Sequence, residues 1–420
     1  MQFSRPKGTN DFYSKDVFNM RWLEKQIYKL CEEFNIEEIR TPCFEQTELF
    51  ARGVGETTDV VSKEMFSFQD QGGRNLTLKP DGTAPTVRAY LENSLYAKTQ
   101  PLKFFYVTPL FRAESPQKGR YRQYHTFGIE VLGSYSPYAD AELVGAAWAL
   151  FMRLGIKNIQ LNINSLGCKD CRVNYNKTLT QFLGENINKL CPTCQDRFGK
   201  NPMRVLDCKN ANCKTIVANA PSSLDVLDDE CTKHFEDFKE CLSAMDIPFN
   251  VNKRIVRGLD YYSRTVFEFI STDLGAQDAA GGGGRYDGLV SICGGEPTGA
   301  AGFGLGLERL LIIMEHQGLL PEYAPSVDLF IGAMSDASRK VALNIVHKLR
   351  NNGIRAEFDP NGRSVKAQFK YADKLNAKFA AMLGDSELET GKVSVKNMET
   401  GATMEVLLND IGNLVTHKKG

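Results

Sequence analysis

Long apolar runs are absent from this sequence. Its longest purely aliphatic run covers only Leu310 to Met314, whereas a membrane-spanning helix needs about 20 apolar residues. The first residues, MQFSRPKGTNDF, hold no apolar stretch of the kind that forms the centre of a secretory signal. We therefore expect a cytoplasmic protein with no membrane partner.

A net charge of either sign is also absent. The 51 Lys and Arg residues balance 51 Asp and Glu residues, which excludes a polycation that binds nucleic acid along its whole length. A neutral total can still contain a local basic patch. Internal repeats and low-complexity tracts are missing as well, so any nucleic-acid binding is expected from one region of a globular surface.

A chain of 420 residues is too long for one ordinary core, so two or three domains are expected. The stretch LLPEYAPSVD carries two prolines and predicts a linker near residue 325. Beyond it, residues 326–420 alternate between predicted strands and helices, which indicates a small α/β domain with a mostly parallel core. This part holds 14 Lys and Arg against 11 Asp and Glu, so it is mildly basic. Its predicted strands are 327–333, 354–358, 379–384 and 392–396, and its predicted helices are 337–352 and 364–375.

Residues 1–325 are organised differently. A predicted helix at 17–34 is followed by short apolar strands without regular strand–helix alternation, which favours an antiparallel or mixed sheet and an α+β class. Residues 167–247 interrupt this pattern with a polar, helix-rich segment that is predicted to be an insertion. The predicted extended segments lie at 36–41, 74–79, 102–107, 125–132 and 159–164.

Six of the eleven cysteines fall between residues 168 and 213, inside that insertion. Two CxxC pairs, Cys168 with Cys171 and Cys191 with Cys194, resemble the ligand spacing of a zinc ribbon. Disulfides are not expected in a cytoplasmic protein. We predict a structural zinc site at these four residues, with free thiols as the alternative. Cys208 and Cys213 are further candidates, and no histidine lies inside the cluster.

Two stretches place charged residues where strands end. In VTPLFRAESPQKGRYRQYHTFGIEVLG, two predicted strands at 104–111 and 124–132 flank a basic loop. Arg112 directly follows an apolar strand, and buried arginines are rare unless they are paired or bind a ligand. In LTLKPDGTAPTVRAY, Asp81 lies in a turn before a predicted helix, where it could satisfy a turn amide or bind an ammonium group. A charged hairpin exposed to water is the alternative for the first stretch.

Two glycine-rich stretches follow. AAGGGGRYDGLV lacks the Lys-Ser/Thr pair of a phosphate loop and the strand–helix context of a dinucleotide fingerprint, so it predicts either a tight turn or close approach of the backbone to a ligand. In TGAAGFGLGLERLLIIME, alternating glycines predict a strand, and Arg309 lies in the first turn of a helix, where it can reach a phosphate or stack on a base. A fifth stretch, VRGLDYYSRTVFEF, places an arginine, an aspartate and two tyrosines at the head of a buried strand.

Together these stretches resemble the histidyl-tRNA synthetases, which are class II aminoacyl-tRNA synthetases, and the resemblance covers nearly the whole chain. FRAESPQKGRYRQYHTFGIEVLG is similar to the second class motif and GFGLGLERL to the third, while RGLDYYSRTVFEF and GGGGRYDGL are similar to the two histidine-specific signatures. The resemblance implies a catalytic domain with an antiparallel sheet at 1–325, a small insertion domain at 167–247, and a C-terminal α/β anticodon-binding domain at 326–420. It also implies a homodimer that uses ATP with Mg²⁺, L-histidine and tRNA(His).

The resemblance assigns roles to particular residues. Arg112 and Arg257 would be catalytic and would contact the α-phosphate and the histidine carboxylate, and Glu114 and Arg309, with Arg112, would bind ATP. The remaining residues that would bind histidine are Asp81 and Thr83 at the ammonium group, Thr126 at the main-chain groups, and Glu130, Tyr261 and Tyr262 at the imidazole.

Two departures from the family pattern concern the amino-acid pocket. Thr126 stands where the family usually has a longer glutamine, and Lys79-Pro80-Asp81 stands where Arg-Pro-Glu is commoner in bacterial members. They leave open a synthetase paralogue that adenylates another amino acid or serves a non-tRNA acceptor. A second alternative is a non-enzymatic regulatory paralogue of the ATP phosphoribosyltransferase type, which generally loses the catalytic arginines and the C-terminal domain.

Overall fold

The computed structural model describes residues 3–55, 58, 60–206, 208, 210–256, 259–275 and 279–416. The chain forms two compact units, Met1–Pro321 and Glu322–Gly420. Among the described residues, no helix is both long and apolar enough to cross a membrane.

The first unit contains both strands and helices. Its described strands are β1 (Glu37–Glu38), β2 (Phe44–Gln46), β3 (Phe66–Gln69), β4 (Asn75–Leu78), β5 (Leu102–Phe111), β6 (Gln123–Leu132), β7 (Ile159–Ser165), β8 (Asn250–Val251), β9 (Ser263–Ser271), β10 (Ala279–Arg285) and β11 (Ala300–Gly306). Its described helices are α1 (Lys15–Glu33), α2 (Thr47–Val54), α3 (Thr83–Glu92), α4 (Pro137–Arg153), α5 (Lys169–Gly184), α6 (Pro192–Lys200), α7 (Ala211–Val217), α8 (Asp229–Ala244), α9 (Leu289–Ile292) and α10 (Leu307–His316).

Eight strands form the central sheet in the order β1-β5-β6-β11-β10-β9-β7-β8. The six neighbouring strands β5-β6-β11-β10-β9-β7 pair antiparallel. The short edge strands β1 and β8 pair in parallel with β5 and β7, respectively. A smaller sheet has the order β2-β4-β3. The predicted α+β class with an antiparallel sheet is therefore confirmed, and helices α5 to α8 lie between β7 and β8 in the chain, where an insertion was predicted.

The two faces of strand β11 explain how the sheet carries a site. Ala301, Phe303 and Leu305 alternate along the strand and belong to the main apolar core with α1, α4 and α10. The intervening glycines point to the opposite face, because successive side chains of a strand alternate. The absence of side chains on that face leaves room for a cavity above the sheet.

Strand β10 corrects one interpretation of the sequence. The four-glycine tract is not a tight turn but the middle of a central strand, in which Gly281 to Gly284 pair with both β9 and β11. A Cβ atom at Gly283 would lie 2.0 Å from the carbonyl oxygen of Gly302. Glycine is therefore required here by close backbone packing.

The second unit has a five-stranded sheet in the order β13-β12-β14-β15-β16. The first three strands are parallel, but β15 and β16 pair antiparallel, so the core is less parallel than predicted. Its own apolar core includes Leu329, Val346 and Leu383. Its elements are β12 (Leu329–Ala333), α11 (Asp336–Asn351), β13 (Ala356–Phe358), α12 (Val365–Lys374), β14 (Phe379–Leu383), α13 (Asp385–Thr390), β15 (Lys392–Asn397), β16 (Thr403–Leu407) and α14 (Asn413–Thr416).

Candidate active site

A cavity of about 410 Å³ lies on the glycine face of the central sheet. Strands β5, β6, β9, β10 and β11 contribute to its lining, together with the starts of α3 and α10. Eight residues predicted from the sequence line this one cavity: Asp81, Thr83, Arg112, Glu114, Thr126, Tyr261, Tyr262 and Arg309. Arg257 lies outside the described residues, so its predicted role stays a prediction.

Glu130 lies behind one end of the cavity and is fully buried. Its Oε1 accepts hydrogen bonds from the Thr83 hydroxyl at 2.8 Å and from the Tyr106 hydroxyl at 2.9 Å. Its Oε2 accepts a hydrogen bond from the Tyr286 hydroxyl at 2.5 Å. Three hydroxyl groups therefore fix this carboxyl group in one orientation.

Glycines make room for this network. A Cβ atom at Gly302 would lie 1.8 Å from Oε2 of Glu130. Cβ atoms at Gly82 and Gly128 would each lie 2.3 Å from the Tyr106 ring. Any side chain at these positions would displace either the carboxyl group or the tyrosine that holds it.

Burial dominates the electrostatics of Glu130. Removal from water raises the pKa of this carboxyl group to about 8, although the hydrogen bonds from Tyr286, Thr83 and Tyr106 partly offset the rise. At neutral pH the group is thus poised between an acid that donates a proton and a carboxylate that accepts a hydrogen bond. Such a group suits a ligand with ring N–H donors, such as an imidazole.

The tyrosine pair forms an aromatic wall. The ring centroids of Tyr261 and Tyr262 are 4.7 Å apart, and Tyr261 meets Tyr286 edge-on at 5.6 Å. Arg172 of helix α5 donates hydrogen bonds to the carbonyl oxygens of Asp260 and Tyr262 at 3.0 and 2.9 Å. The backbone of the pair is therefore held from the insertion side.

Asp81 presents an unsatisfied oxygen. The residue is buried, and its Oδ1 accepts a hydrogen bond from the backbone N–H of Ala84 at 3.2 Å, in the first turn of α3. Its Oδ2 has no hydrogen-bond partner among the described residues. Burial raises the pKa of this carboxyl group, against the lowering effects of the Ala84 N–H and of Arg112. An unpaired buried carboxylate oxygen is costly, so a cationic ligand group such as an ammonium would stabilise it.

Arg112 follows β5 and enters the cavity between these elements. Its Nε donates a hydrogen bond to the carbonyl oxygen of Pro80 at 3.0 Å, and its guanidinium carbon lies 6.0 Å from the centroid of the Tyr124 ring. Burial lowers the pKa of Arg112, but Tyr124, Glu64 and Asp81 raise it, with a net increase. The guanidinium group thus stays charged in the cavity.

Comparisons with known proteins agree with this geometry. The family model described as histidyl-tRNA synthetase matches residues 8–170 and 204–310, and the model described as anticodon binding domain matches residues 328–418. Histidine–tRNA ligases from Acetivibrio thermocellus and Clostridium perfringens are 50% and 51% identical to the chain over 406 and 418 residues. These alignments cover 97% of both chains in the first case, and 99% of this chain and 100% of the relative in the second.

This chain belongs to the histidyl-tRNA synthetase family. Its fold agrees as well, since the crystal structure of apo S. aureus histidyl-tRNA synthetase matches with a TM-score of 0.83 at 35% identity. That match covers 99% of this chain and 100% of the other. The family resemblance of the sequence and the predicted fold class are both confirmed.

At the other end of the cavity of this synthetase-family chain, Arg309 is held by backbone carbonyl oxygens. Arg309 donates hydrogen bonds to the carbonyl oxygen of Gly119 at 2.9 Å and to that of Ala279 at 2.6 Å. It therefore links the loop after β5 to the start of β10. Glu114 forms an ion pair with Arg120 in the same loop.

The two departures from the synthetase family pattern differ in consequence. Thr126 and Asp81 line the cavity. Lys79, by contrast, does not touch the pocket, because it directs its buried ammonium group away to Thr41, whose carbonyl and hydroxyl oxygens are both at 3.2 Å. The expectation that the Lys79 departure touches the amino-acid pocket is therefore corrected.

Sequence reasoning overlooked three tyrosines. Tyr106 and Tyr124 lie on β5 and β6, and Tyr286 follows β10. Tyr286 lies inside the GGGGRYDGL signature, so the sequence could have identified it as a candidate site residue. Tyr106 faces Gly128 across the β5–β6 hairpin, and only a correct strand register shows that a large ring has space beside that glycine.

The cysteine prediction requires a correction. Among the described residues, Cys168 and Cys171 group with Asp228 and Cys231, whereas Cys191 and Cys194 group with Cys208 and Cys213. The single set of Cys168, Cys171, Cys191 and Cys194 is thus not assembled by the fold, since each pair opens a different helix, α5 or α6. Asp228 and Cys231 were missed because they follow Cys171 by more than fifty residues.

Proposed function

We propose that this chain is a histidine–tRNA ligase that activates L-histidine with ATP and transfers the product to the 3′ end of tRNA(His). The observation that carries the proposal is one cavity with a buried carboxyl group held by three hydroxyls at one end and arginines at the other. Full-length identity of about half to histidine–tRNA ligases supports the same conclusion.

The activation step needs little acid–base catalysis. One carboxylate oxygen of histidine attacks the α-phosphorus of ATP, a new P–O bond forms, and the bond to pyrophosphate breaks. The nucleophile is already ionised, so the protein's task is to position it and to neutralise charge on the pentavalent phosphorus. Arg112 is suited to this task because its forked guanidinium can donate to two oxygens at once. Arg257 is predicted to act from the other side.

The histidine side of the proposal assigns one group to each part of the amino acid. The Oδ2 atom of Asp81 would accept a hydrogen bond from the ammonium group of histidine. The hydroxyl oxygen of Thr83 would accept a second hydrogen bond from the same group. Thr83 can do so while donating to Glu130, because a hydroxyl group both donates and accepts. Glu130, Tyr261 and Tyr262 would bind the imidazole, and Thr126 would lie near the main-chain groups.

The ATP side uses Arg112, Glu114 and Arg309. Mg²⁺ fits this end, because it prefers oxygen ligands and commonly binds through one or two carboxylates together with substrate phosphates. Glu114 and Glu268 supply carboxylates in the lining. When bound, the ion would neutralise phosphate charge.

The same proposal includes the partners and the location. The second unit matches the anticodon-binding family model, which supports tRNA recognition by residues 326–420. The family resemblance supports a homodimer and a cytoplasmic location as further parts of the proposal.

Pyrophosphate exchange measured with each of the twenty amino acids tests this function. We expect ATP–pyrophosphate exchange that depends on histidine. Exchange with a different amino acid would favour a synthetase paralogue with another substrate, for which the short Thr126 is the motivating observation. No exchange with any amino acid would favour a regulatory paralogue.

The raised pKa of Glu130 predicts a pH dependence. Glu130 must be ionised to accept a hydrogen bond from an N–H group of the imidazole. The value of kcat/KM for histidine should therefore rise as pH increases towards about 8 and then level off. Glu130→Gln should lower kcat/KM and remove the rise, because an amide does not titrate. Exchange kinetics between pH 6.5 and 9 measure both profiles. If kcat/KM of Glu130→Gln rose with pH as much as that of the wild type, the titrating group would be a residue other than Glu130.

Stability supplies an independent readout of the same shift. Because the folded pKa of Glu130 lies above the value of 4.5 for an unburied glutamate, the native state binds more protons than the unfolded state between these values. The free energy of unfolding contributed by this group is therefore highest at low pH and falls as pH rises through about 8. In denaturant unfolding experiments, the free energy of unfolding of Glu130→Gln should decrease less than that of the wild type as pH rises from 4.5 to about 8.

A further inference from the structure

The insertion brings two groups of metal-ligating side chains together. The four-cysteine group consists of Cys191, Cys194, Cys208 and Cys213. The mixed group consists of Cys168, Cys171, Cys231 and Asp228. Within each group, one ligand atom from every residue lies within 4.8 Å of the others.

Sulfur spacing in the four-cysteine group is compatible with a bound metal ion, since all four Sγ atoms lie within 4.8 Å of one another. The Sγ atoms of Cys191 and Cys208 are 3.8 Å apart. Four thiolates at about 2.3 Å from a tetrahedral zinc ion lie about 3.8 Å from one another, whereas a disulfide requires about 2.05 Å. The sulfurs are therefore spaced to surround an ion.

Backbone donors support these sulfurs. The N–H of Cys191 points at Sγ of Cys213 at 3.2 Å, and the N–H of Asn210 points at Sγ of Cys208 at 3.4 Å. Such outer contacts orient metal ligands and stabilise their charged form. Cys194 and Cys213 are fully buried, so water is excluded from half of the group, as expected for a closed structural site.

The mixed group shows the same features independently. The Sγ atoms of Cys168 and Cys171 are 3.6 Å apart, and Oδ2 of Asp228 lies 3.2 Å from each. The N–H groups of Cys168 and Asp228 point at the sulfurs of Cys231 and Cys171, both at 3.2 Å. A carboxylate is an accepted zinc ligand beside three thiolates.

We propose that the insertion binds two structural zinc ions, one in the four-cysteine group and one in the mixed group. Thiolate-rich tetrahedral sites select zinc over the harder cations Mg²⁺ and Ca²⁺, which prefer oxygen. Each site holds the start of a helix: the mixed group opens α5, and the four-cysteine group opens α6.

Residues on or next to both helices contact the backbone segment that carries the aromatic wall. Arg172, adjacent to Cys171, holds the carbonyl oxygens of Asp260 and Tyr262. Asn201, at the end of α6, donates a hydrogen bond from Nδ2 to Oδ1 of Asp260 at 3.0 Å. The metal sites therefore position the segment that carries Tyr261 and Tyr262, and this part of the inference rests on the proposed function.

Metal analysis of the full chain, purified without chelator, tests the two sites directly. We expect about two zinc ions per chain, as two closed four-ligand sites require. Cys213→Ser should lose about one of them, and Cys231→Ser should lose the other. Cys43→Ser and Cys241→Ser are matched controls outside both groups and should keep both ions.

Spectroscopy of wild-type protein avoids dependence on variants that fold poorly. Replacing zinc with Co²⁺ should give the intense thiolate charge-transfer and d–d bands of tetrahedral coordination. Absence of metal, with these cysteines alkylated freely in the native protein or joined as disulfides by intact mass, would overturn both sites. A single ion lost only in Cys213→Ser would support the four-cysteine site and overturn the mixed one.

Kinetics test the positioning role separately from metal content. Cys231→Ser should raise KM for histidine while leaving KM for ATP close to wild type, because Arg172 of the insertion holds the carbonyl oxygens of Asp260 and Tyr262, beside the tyrosines proposed to bind the imidazole. Equal increases in KM for histidine and KM for ATP would show that the mixed group does not act through the segment that carries Tyr261 and Tyr262. The zinc stoichiometry is independent of ligase activity, so failure of the proposed function would not disturb it.

Discussion

Replacing Arg112 with alanine should slow histidyl-adenylate formation by about 100- to 1,000-fold, the usual loss when one preorganised donor to a developing charge is removed. The guanidinium group donates to the Pro80 carbonyl oxygen and lies 6.0 Å from the centroid of the Tyr124 ring, and the nearby Asp81 carboxyl group helps to raise its pKa. It therefore needs no reorganisation during the reaction. Single-turnover formation of adenylate from histidine and ATP measures the step without product release.

Two further variants sharpen this test. Arg112→Lys keeps the charge but loses the planar fork, so it should recover only part of the rate. Arg74→Ala is the matched control, because Arg74 is an exposed arginine that pairs with Asp70 on the surface, and it should leave the rate unchanged. A near-normal rate in Arg112→Ala, with an intact fold by circular dichroism, would assign charge neutralisation to other groups.

Local patterns in the sequence were enough to predict the elements that carry the site. The hairpin predicted at 104–111 and 124–132 is β5 and β6, and Arg112 emerges where an arginine after an apolar strand was expected to meet a ligand. The helix predicted near Ala84 is α3, with Asp81 before its first turn. These features depend on strand alternation and on residues close together in the chain.

Features that depend on distant partners could not be predicted in this way. The glycine tract of β10 has no side chains to show a period, and its place in the sheet is fixed by β9 and β11. The cysteine ligands were grouped by motif spacing, whereas the fold pairs Cys168 with Cys231 across α5 to α8. Tyr106 joins the Glu130 network only because the hairpin register places it opposite Gly128.

The second unit offers a separable test of tRNA recognition. It has its own sheet and core and forms a compact unit from Glu322 onwards. On helix α12, Lys366, Lys370 and Lys374 recur every four residues and are exposed, while Gln368 and Ala372 face the core. A solvated charged face is the plain explanation of this pattern, and phosphate contacts are the functional one.

Deleting residues 322–420 should leave histidine-dependent pyrophosphate exchange within a few-fold of wild type but nearly abolish charging of tRNA(His). The groups proposed for adenylation all lie in the first unit, whereas the anticodon-binding match lies in the second. Size-exclusion chromatography of the truncated protein checks that its assembly is unchanged. Charging at the wild-type rate would mean that the second unit serves another partner.

The lysines of α12 provide the finer measurement. Each phosphate contact releases counterions on binding, so the logarithm of the association constant falls with the logarithm of salt concentration by roughly 0.7 to 0.9 per contact. Substituting Lys366, Lys370 and Lys374 with alanine should therefore weaken tRNA binding and flatten this slope by about 2 to 3. Lys392→Ala, which removes a lysine paired with Glu405 on the same unit, is the control and should leave the slope unchanged. An unaltered slope in the triple variant would make the α12 face a solvated surface and leave tRNA recognition to other parts of the unit.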